Sequence, residues 1–92
     1  MTTMYQAPTV KKAFKMLHLI ALSDQGLTLS EISRRLAISK STIHGIVAAL
    51  QESGALIRDA STRRYTLGLT LFELGRSTRA RLSRWTLTTS AM

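Results

Sequence analysis

The chain has no cysteine, one proline and two histidines. Without thiols there is no disulfide framework and no thiolate to act as nucleophile or metal ligand, which suits a reducing compartment. Acids are scarce too: Asp24, Glu31, Glu52, Asp59 and Glu73 are the whole set. His18 and His44 are the only imidazoles, and no GxSxG, HExxH, P-loop or GxGxxG pattern occurs. The expectation is a non-enzyme with no cofactor and no metal. Long apolar runs are also missing. The longest, Ile46 to Leu50, falls far short of the ~20 residues that span a bilayer. Met16–Leu22 follows three lysines as a signal segment would, but His18 interrupts it and Ser23-Asp24-Gln25-Gly26 is a poor cleavage site. These absences point to a cytoplasmic chain without membrane contact.

What remains is a short, basic, moderately apolar polypeptide. Its 92 residues suit one small domain, and its 45% hydrophobic content suits a folded one. Thirteen Lys and Arg against five acids leave a net charge of +8. Residues 1–57 carry six bases and three acids, and residues 58–92 seven bases and two acids. Clustered arginine with so few acids is an electrostatic footprint of nucleic-acid binding. A merely well-solvated surface is the competing explanation.

Residues 1–8 have no periodicity and read as a loose tail ending at Pro8. From Thr9, the apolar residues Val10, Ala13, Phe14, Leu17, Ile20 and Ala21 recur with helical spacing. His18 sits at the edge of that face. Asp24-Gln25-Gly26 supplies the stop. Thr28-Leu29-Ser30-Glu31 fits a capping box, with Leu27 and Ile32 placed as a hydrophobic staple. The helix that follows, about Leu29–Ala37, buries Ile32 and Leu36 and turns Arg34 outward. Ser39 is a natural N-cap for the next helix, with Ile38 and Ile43 as its staple. That helix, about 40–53, buries Ile43, Ile46, Val47 and Leu50. Its other face, including Lys40, Ser41, Thr42, His44, Gly45 and Ala48, is small and polar.

Two short helices a few residues apart, the second with a small outer face, describe a helix-turn-helix. A helix that enters a major groove ~12 Å wide cannot be bulky all round. Ser41 and Thr42 suit base edges or phosphates, and Lys40 suits a phosphate. Packing against another helix would also favour a small face. After Gly54, Ala55–Asp59 and Arg64–Leu67 are β-prone runs around the turn Ala60-Ser61-Thr62-Arg63, so a hairpin is expected. It would form a wing, spanning 58–65, with Arg63 and Arg64 at its tip and Arg58 beside them. An ordinary solvated turn is the alternative. Thr70-Leu71-Phe72-Glu73 reads as a third capping box, with Leu69 and Leu74 as its staple. Leu71, Leu74, Thr78, Leu82 and Trp85 then form a stripe flanked by Arg76, Arg79, Arg81 and Arg84.

The expected architecture is mainly α with a small β-hairpin: a tail (1–8), a winged helix-turn-helix (9–68), a linker helix (69–85) and a frayed end (86–92). The string from Leu27-Thr28-Leu29-Ser30-Glu31-Ile32 through Ser39-Lys40-Ser41-Thr42-Ile43-His44 and Arg64-Tyr65-Thr66-Leu67-Gly68 to Leu74-Gly75 resembles the N-terminal DNA-binding domain of IclR-type bacterial transcriptional regulators. Family members often carry arginine at the position of Gly45, which here can read no base through a side chain. They also continue into a larger effector-binding domain, whereas this chain stops at Met92, so the resemblance implies no effector site in it. The function it implies is sequence-specific binding to double-stranded DNA, as part of a repressor. The candidate contacts are Ser30, Arg34, Lys40, Ser41, Thr42, His44, Gly45, Ala48, Arg63 and Arg64. A homodimer on a palindromic operator is expected, joined through Leu71, Leu74, Leu82 and Trp85. The alternative is a winged-helix protein-interaction module.

Overall fold

The structure is a computed structural model that describes the backbone of residues 7–90 and the side chains of residues 7–82. Four helices and one hairpin follow in the order α1 (Pro8–Ala21), α2 (Leu29–Leu36), α3 (Lys40–Glu52), β1 (Leu56–Arg58), β2 (Tyr65–Leu67) and α4 (Leu69–Ser90). Pro8 opens α1, where a missing N–H costs nothing. The capping box of α2 forms as the sequence predicts. The Glu31 amide donates to Thr28 Oγ1 at 3.2 Å, and the Thr28 amide donates to Glu31 Oε1 at 2.9 Å. Ser39 caps α3, accepting from the Thr42 amide at 3.3 Å.

The turn between α2 and α3 is three residues long, Ala37 to Ser39. Ala37 takes the left-handed conformation that ends α2, at φ 56°. The Ile38 amide then reaches back to the Ser33 carbonyl, and the Ser33 hydroxyl donates to the Ile38 carbonyl. This fixes the angle at which α3 leaves α2. Ile32, Ile43, Val47 and Met16 are almost fully buried and form the centre of the core, with Ile20, Leu27, Leu56 and Tyr65 around them.

The buried face of α1 differs from the sequence expectation. Ala13, Met16, Leu17 and Ile20 point inward, while Val10 and Phe14 are more than half exposed. Both stripes have helical spacing. The positions of α2, α3 and β2 decide which one is covered.

The strands pair antiparallel, with Leu56 opposite Leu67 and Arg58 opposite Tyr65. Leu27 adds a bridge to Tyr65, with amide-to-carbonyl bonds of 3.1 and 2.7 Å in the two directions. The close approach there requires glycine at position 26. Gly26 has φ +83°, and a Cβ on it would sit 2.5 Å from the Tyr65 carbonyl oxygen.

The third capping box does not form. Gly68 leads straight into α4, Thr70 is already helical, and its hydroxyl donates to the Ser53 carbonyl at 2.9 Å. Leu69 and Leu74 are exposed and make no staple. That hydroxyl ties the root of α4 to the end of α3, aided by the Gly68 amide on the Ala55 carbonyl at 2.8 Å. From Phe72 to Leu82 every described side chain is exposed. The helix continues to Ser90, past the expected end at Trp85 and into the stretch expected to fray. The radius of gyration, 15.9 Å, exceeds the ~12 Å of a compact chain this long, because α4 projects from the body. Among the described residues no helix is long and apolar enough to cross a membrane.

Candidate nucleic-acid interface

The exposed surface of α3 carries Lys40, Ser41, His44, Gly45, Ala48 and Ala49. Between Lys40 and Ala49 only Lys40 is both long and charged, and exposed Gln51 and Glu52 follow at the C-terminal end. Nothing lies within 4 Å of where a Cβ on Gly45 would stand. The helix therefore presents a smooth ridge whose backbone can approach a partner closely.

Two grooves flank this ridge, and six of the ten expected contact residues line one or the other. On one side, the first turn of α2, the ridge and the hairpin enclose a concavity lined by Ser30, His44, Arg58, Thr62 and Arg63, with Tyr65 at its base. On the other side, α1 and α3 form a more apolar groove lined by Val10, Ala13, Ser41, Thr42, Gly45 and Ala49. Thr42 is half-buried, and its hydroxyl accepts from Ser39 Oγ at 2.9 Å. Ser41 Oγ lies 3.4 Å from Ser39 Oγ and is exposed. Arg34 on α2 and Lys40 and Ala48 on α3 are exposed and line neither groove, nor does Arg64.

The wing is built on Asp59. One of its carboxylate oxygens accepts from the Ser61 amide at 2.8 Å, the Ser61 hydroxyl at 2.7 Å and the Thr62 amide at 3.1 Å. The Ser61 hydroxyl bond, then the two backbone amides, hold the Asp59 carboxyl below its ordinary range. The Arg63 amide bonds the Asp59 carbonyl at 2.7 Å, which closes the turn. Arg63 adopts φ +62°, a left-handed conformation that glycine or asparagine takes more readily.

The two arginines at the tip part company. Arg63 is exposed and lines the concavity, together with Arg58 from β1. No other described residue engages either guanidinium. Arg64 turns back into the body, where its Nη1 donates to the Gly26 carbonyl at 3.0 Å and to Glu31 Oε1 at 3.2 Å. The Thr28 amide bond lowers the Glu31 carboxyl most, partial desolvation opposes it, and the Arg64 charge lowers it further. Arg58, which the sequence puts beside the wing tip and outside the expected contacts, joins this surface. Its position two residues beyond buried Leu56 on a short strand was the signal available.

Of the stripe expected to join two copies, Leu71 is half-buried at the root of α4, and Leu74 and Leu82 are more than half exposed. The side chain of Trp85 lies outside the described residues.

Comparison with known proteins bears on what this surface meets. The model of the IclR helix-turn-helix domain matches residues 9–60. The glycerol operon regulatory protein of Streptomyces coelicolor is 39% identical over 67 residues, 73% of this chain and 26% of that protein. The transcriptional regulator KipR of Bacillus subtilis is 40% identical over 74 residues, 80% of this chain and 29% of that one. The chain thus spans about a quarter to a third of the length of the curated relatives it matches. Among solved structures, a transcriptional regulator of Alicyclobacillus acidocaldarius superposes with a TM-score of 0.74 at 33% identity, over 80% of this chain and 30% of that one. A regulator of Brucella abortus gives 0.79 at 20% identity, over 96% of this chain and 34% of that one, which speaks to fold alone.

Proposed function

The chain belongs to the IclR family of helix-turn-helix transcriptional regulators, and from that premise we propose that it reads double-stranded DNA sequence-specifically as the DNA-binding part of a bacterial repressor. In this reading α3 lies in the major groove and the wing rests on the backbone or in the adjacent minor groove. The role is binding rather than catalysis, it requires no cofactor, and it belongs in the cytoplasm.

The observation that carries the reading is the concavity beside α3, where Arg58, Arg63, His44 and the Ser30 hydroxyl converge without protein partners for the two guanidiniums. A DNA strand presents a phosphate every few ångströms, and Arg and Ser are suited to bind it. Arg63 strengthens the case. Holding a non-glycine residue at positive φ costs on the order of 1–2 kcal/mol, and such a conformation is kept at functional sites. The ridge supplies the reading head: Ser41 and His44 offer hydrogen bonds to base edges, and Gly45 and Ala48 allow close approach. Lys40 and Arg34 supply phosphate contacts at its margins, and Thr42 steadies the first turn of the ridge through Ser39.

Two copies joined along α4 through Leu71, Leu74, Leu82 and Trp85 would read a palindromic site with half-sites about one helical turn apart. The test is selection of bound sequences from random duplexes, followed by titration of the winner across salt. A defined, two-fold symmetric site is expected, with log K falling by roughly 0.9 per phosphate contact per decade of salt. No enriched site and a salt-insensitive affinity would refute the proposal and favour a protein-docking role for the same face.

A further inference from the structure

We propose that Arg64 is a positioning residue that locks the wing to the helix-turn-helix, while Arg63 and Arg58 meet the DNA. This rests on the DNA-binding reading above and departs from the sequence expectation that Arg64 touches the duplex.

The ties converge on a small volume. Arg64 Nη1 holds both the Gly26 carbonyl and Glu31 Oε1. The same Oε1 accepts the Thr28 amide that caps α2. One carboxylate oxygen therefore joins the start of α2 to the wing. The next residue along β2, Tyr65, exchanges two backbone bonds with Leu27. Residues 26–28 and 64–65 form one stitched seam, which fixes the wing relative to α2 and, through the short turn at Ala37, relative to α3.

The pair is partly shielded from water. The Arg64 and Glu31 side chains are 36% and 25% exposed. A guanidinium beside a carboxylate adds little net field at a phosphate, whereas Arg63 and Arg58 act with full charge. Arg64 faces inward where Arg63 faces outward, so adjacent arginines divide the work between bracing the wing and reaching the duplex.

The experiment titrates a labelled random duplex across salt with the wild-type chain and four variants, under conditions where circular dichroism shows each to be folded. Arg63→Ala is the reference and should lower the salt slope by about 0.9. Arg64→Ala should keep the wild-type slope while weakening binding about three- to tenfold. Glu31→Gln removes a negative charge near the DNA yet should leave binding unchanged or weaker. The Glu31→Gln, Arg64→Ala pair should bind no worse than Arg64→Ala alone, because the two act as one unit. If Arg64→Ala loses slope as Arg63→Ala does, or Glu31→Gln binds more tightly, Arg64 is a phosphate contact and the proposal falls.

Hydrogen exchange on the free proteins tests the seam without DNA. The Leu27 and Tyr65 amides should exchange about three- to tenfold faster in Arg64→Ala, with Ile43 and Val47 unaltered. Equal exchange at Leu27 and Tyr65 would overturn the clamp. A wild-type chain that binds no duplex would refute the DNA reading, while the exchange result would still decide the clamp.

Discussion

Gly45→Arg puts a long cation at the middle of the exposed ridge of α3, and the structure sets the size of both consequences. The first is stability. An added Cβ meets nothing within 4 Å, so there is no steric cost. The neighbours one turn away, Ser41, Thr42, Ala48 and Ala49, carry no charge to repel it. Glycine inside a helix costs about 1 kcal/mol relative to alanine, and arginine only a little, so the gain should be about 0.8 kcal/mol. For a domain this small that raises the melting temperature by about 3–6 °C. The second consequence is affinity. A cation on a groove-facing ridge should add one phosphate or guanine contact and steepen the salt slope by about 0.9. The ratio of variant to wild-type affinity should then grow about 3.5-fold between roughly 200 and 50 mM salt. Thermal melts and duplex titrations at several salt concentrations read both. A melting temperature that rises with no gain in affinity on any duplex would show that the ridge does not face DNA. A melting temperature that falls would refute the open environment assigned to Gly45.

Four further outcomes are expected. Ser41→Ala should reduce discrimination between the selected site and random duplex by about 1–3 kcal/mol, measured as the ratio of the two affinities, and an equal loss on both would assign Ser41 to the backbone. Gly26→Ala should destabilise the fold by about 2–4 kcal/mol, from positive φ and from the collision with the Tyr65 carbonyl; denaturant unfolding at wild-type stability would contradict the seam geometry. Asp59 binds its proton more weakly when folded, so its support of the wing is present above its ordinary value of 3.8 and is lost as pH falls through the lower folded value; the Ser61 and Thr62 amide shifts followed by NMR should show that midpoint, and one above 4 would refute the assigned bonds. Leu74→Asp with Leu82→Asp should reduce self-association in sedimentation while leaving the melt nearly unchanged, because both side chains are already exposed; unaltered mass in the presence of duplex would remove α4 from the dimer.

Local chemistry was legible in advance. Thr28 with Glu31, Ser39 before α3, Gly54 after it and the polar turn at 60–63 are signals whose partners lie within a few residues, so the sequence contains both halves of each interaction. The failures share a cause as well. Thr70 has the spacing of an N-cap because Glu73 follows three residues later, yet its hydroxyl donates to the Ser53 carbonyl instead. Val10 and Phe14 match a helical stripe as well as Met16 does, and spacing alone cannot say which stripe is covered.

By itself, then, the sequence determined the number and order of helices α1 to α3, the hairpin after them, the core residues of α2 and α3, and a surplus of positive charge that suits a polyanionic partner or a solvated surface. Each of these follows from periodicity, capping and composition, which act over one or two turns of chain. Tertiary structure alone decided which side of α1 is buried, which candidate contacts line the two grooves, and that Arg64 turns inward while Arg63 turns out. Glu31 and Arg64 stand 33 positions apart, and no local rule connects them. They meet because the Leu27–Tyr65 pairing brings the start of β2 beside the loop before α2, which sets Arg64 against Glu31.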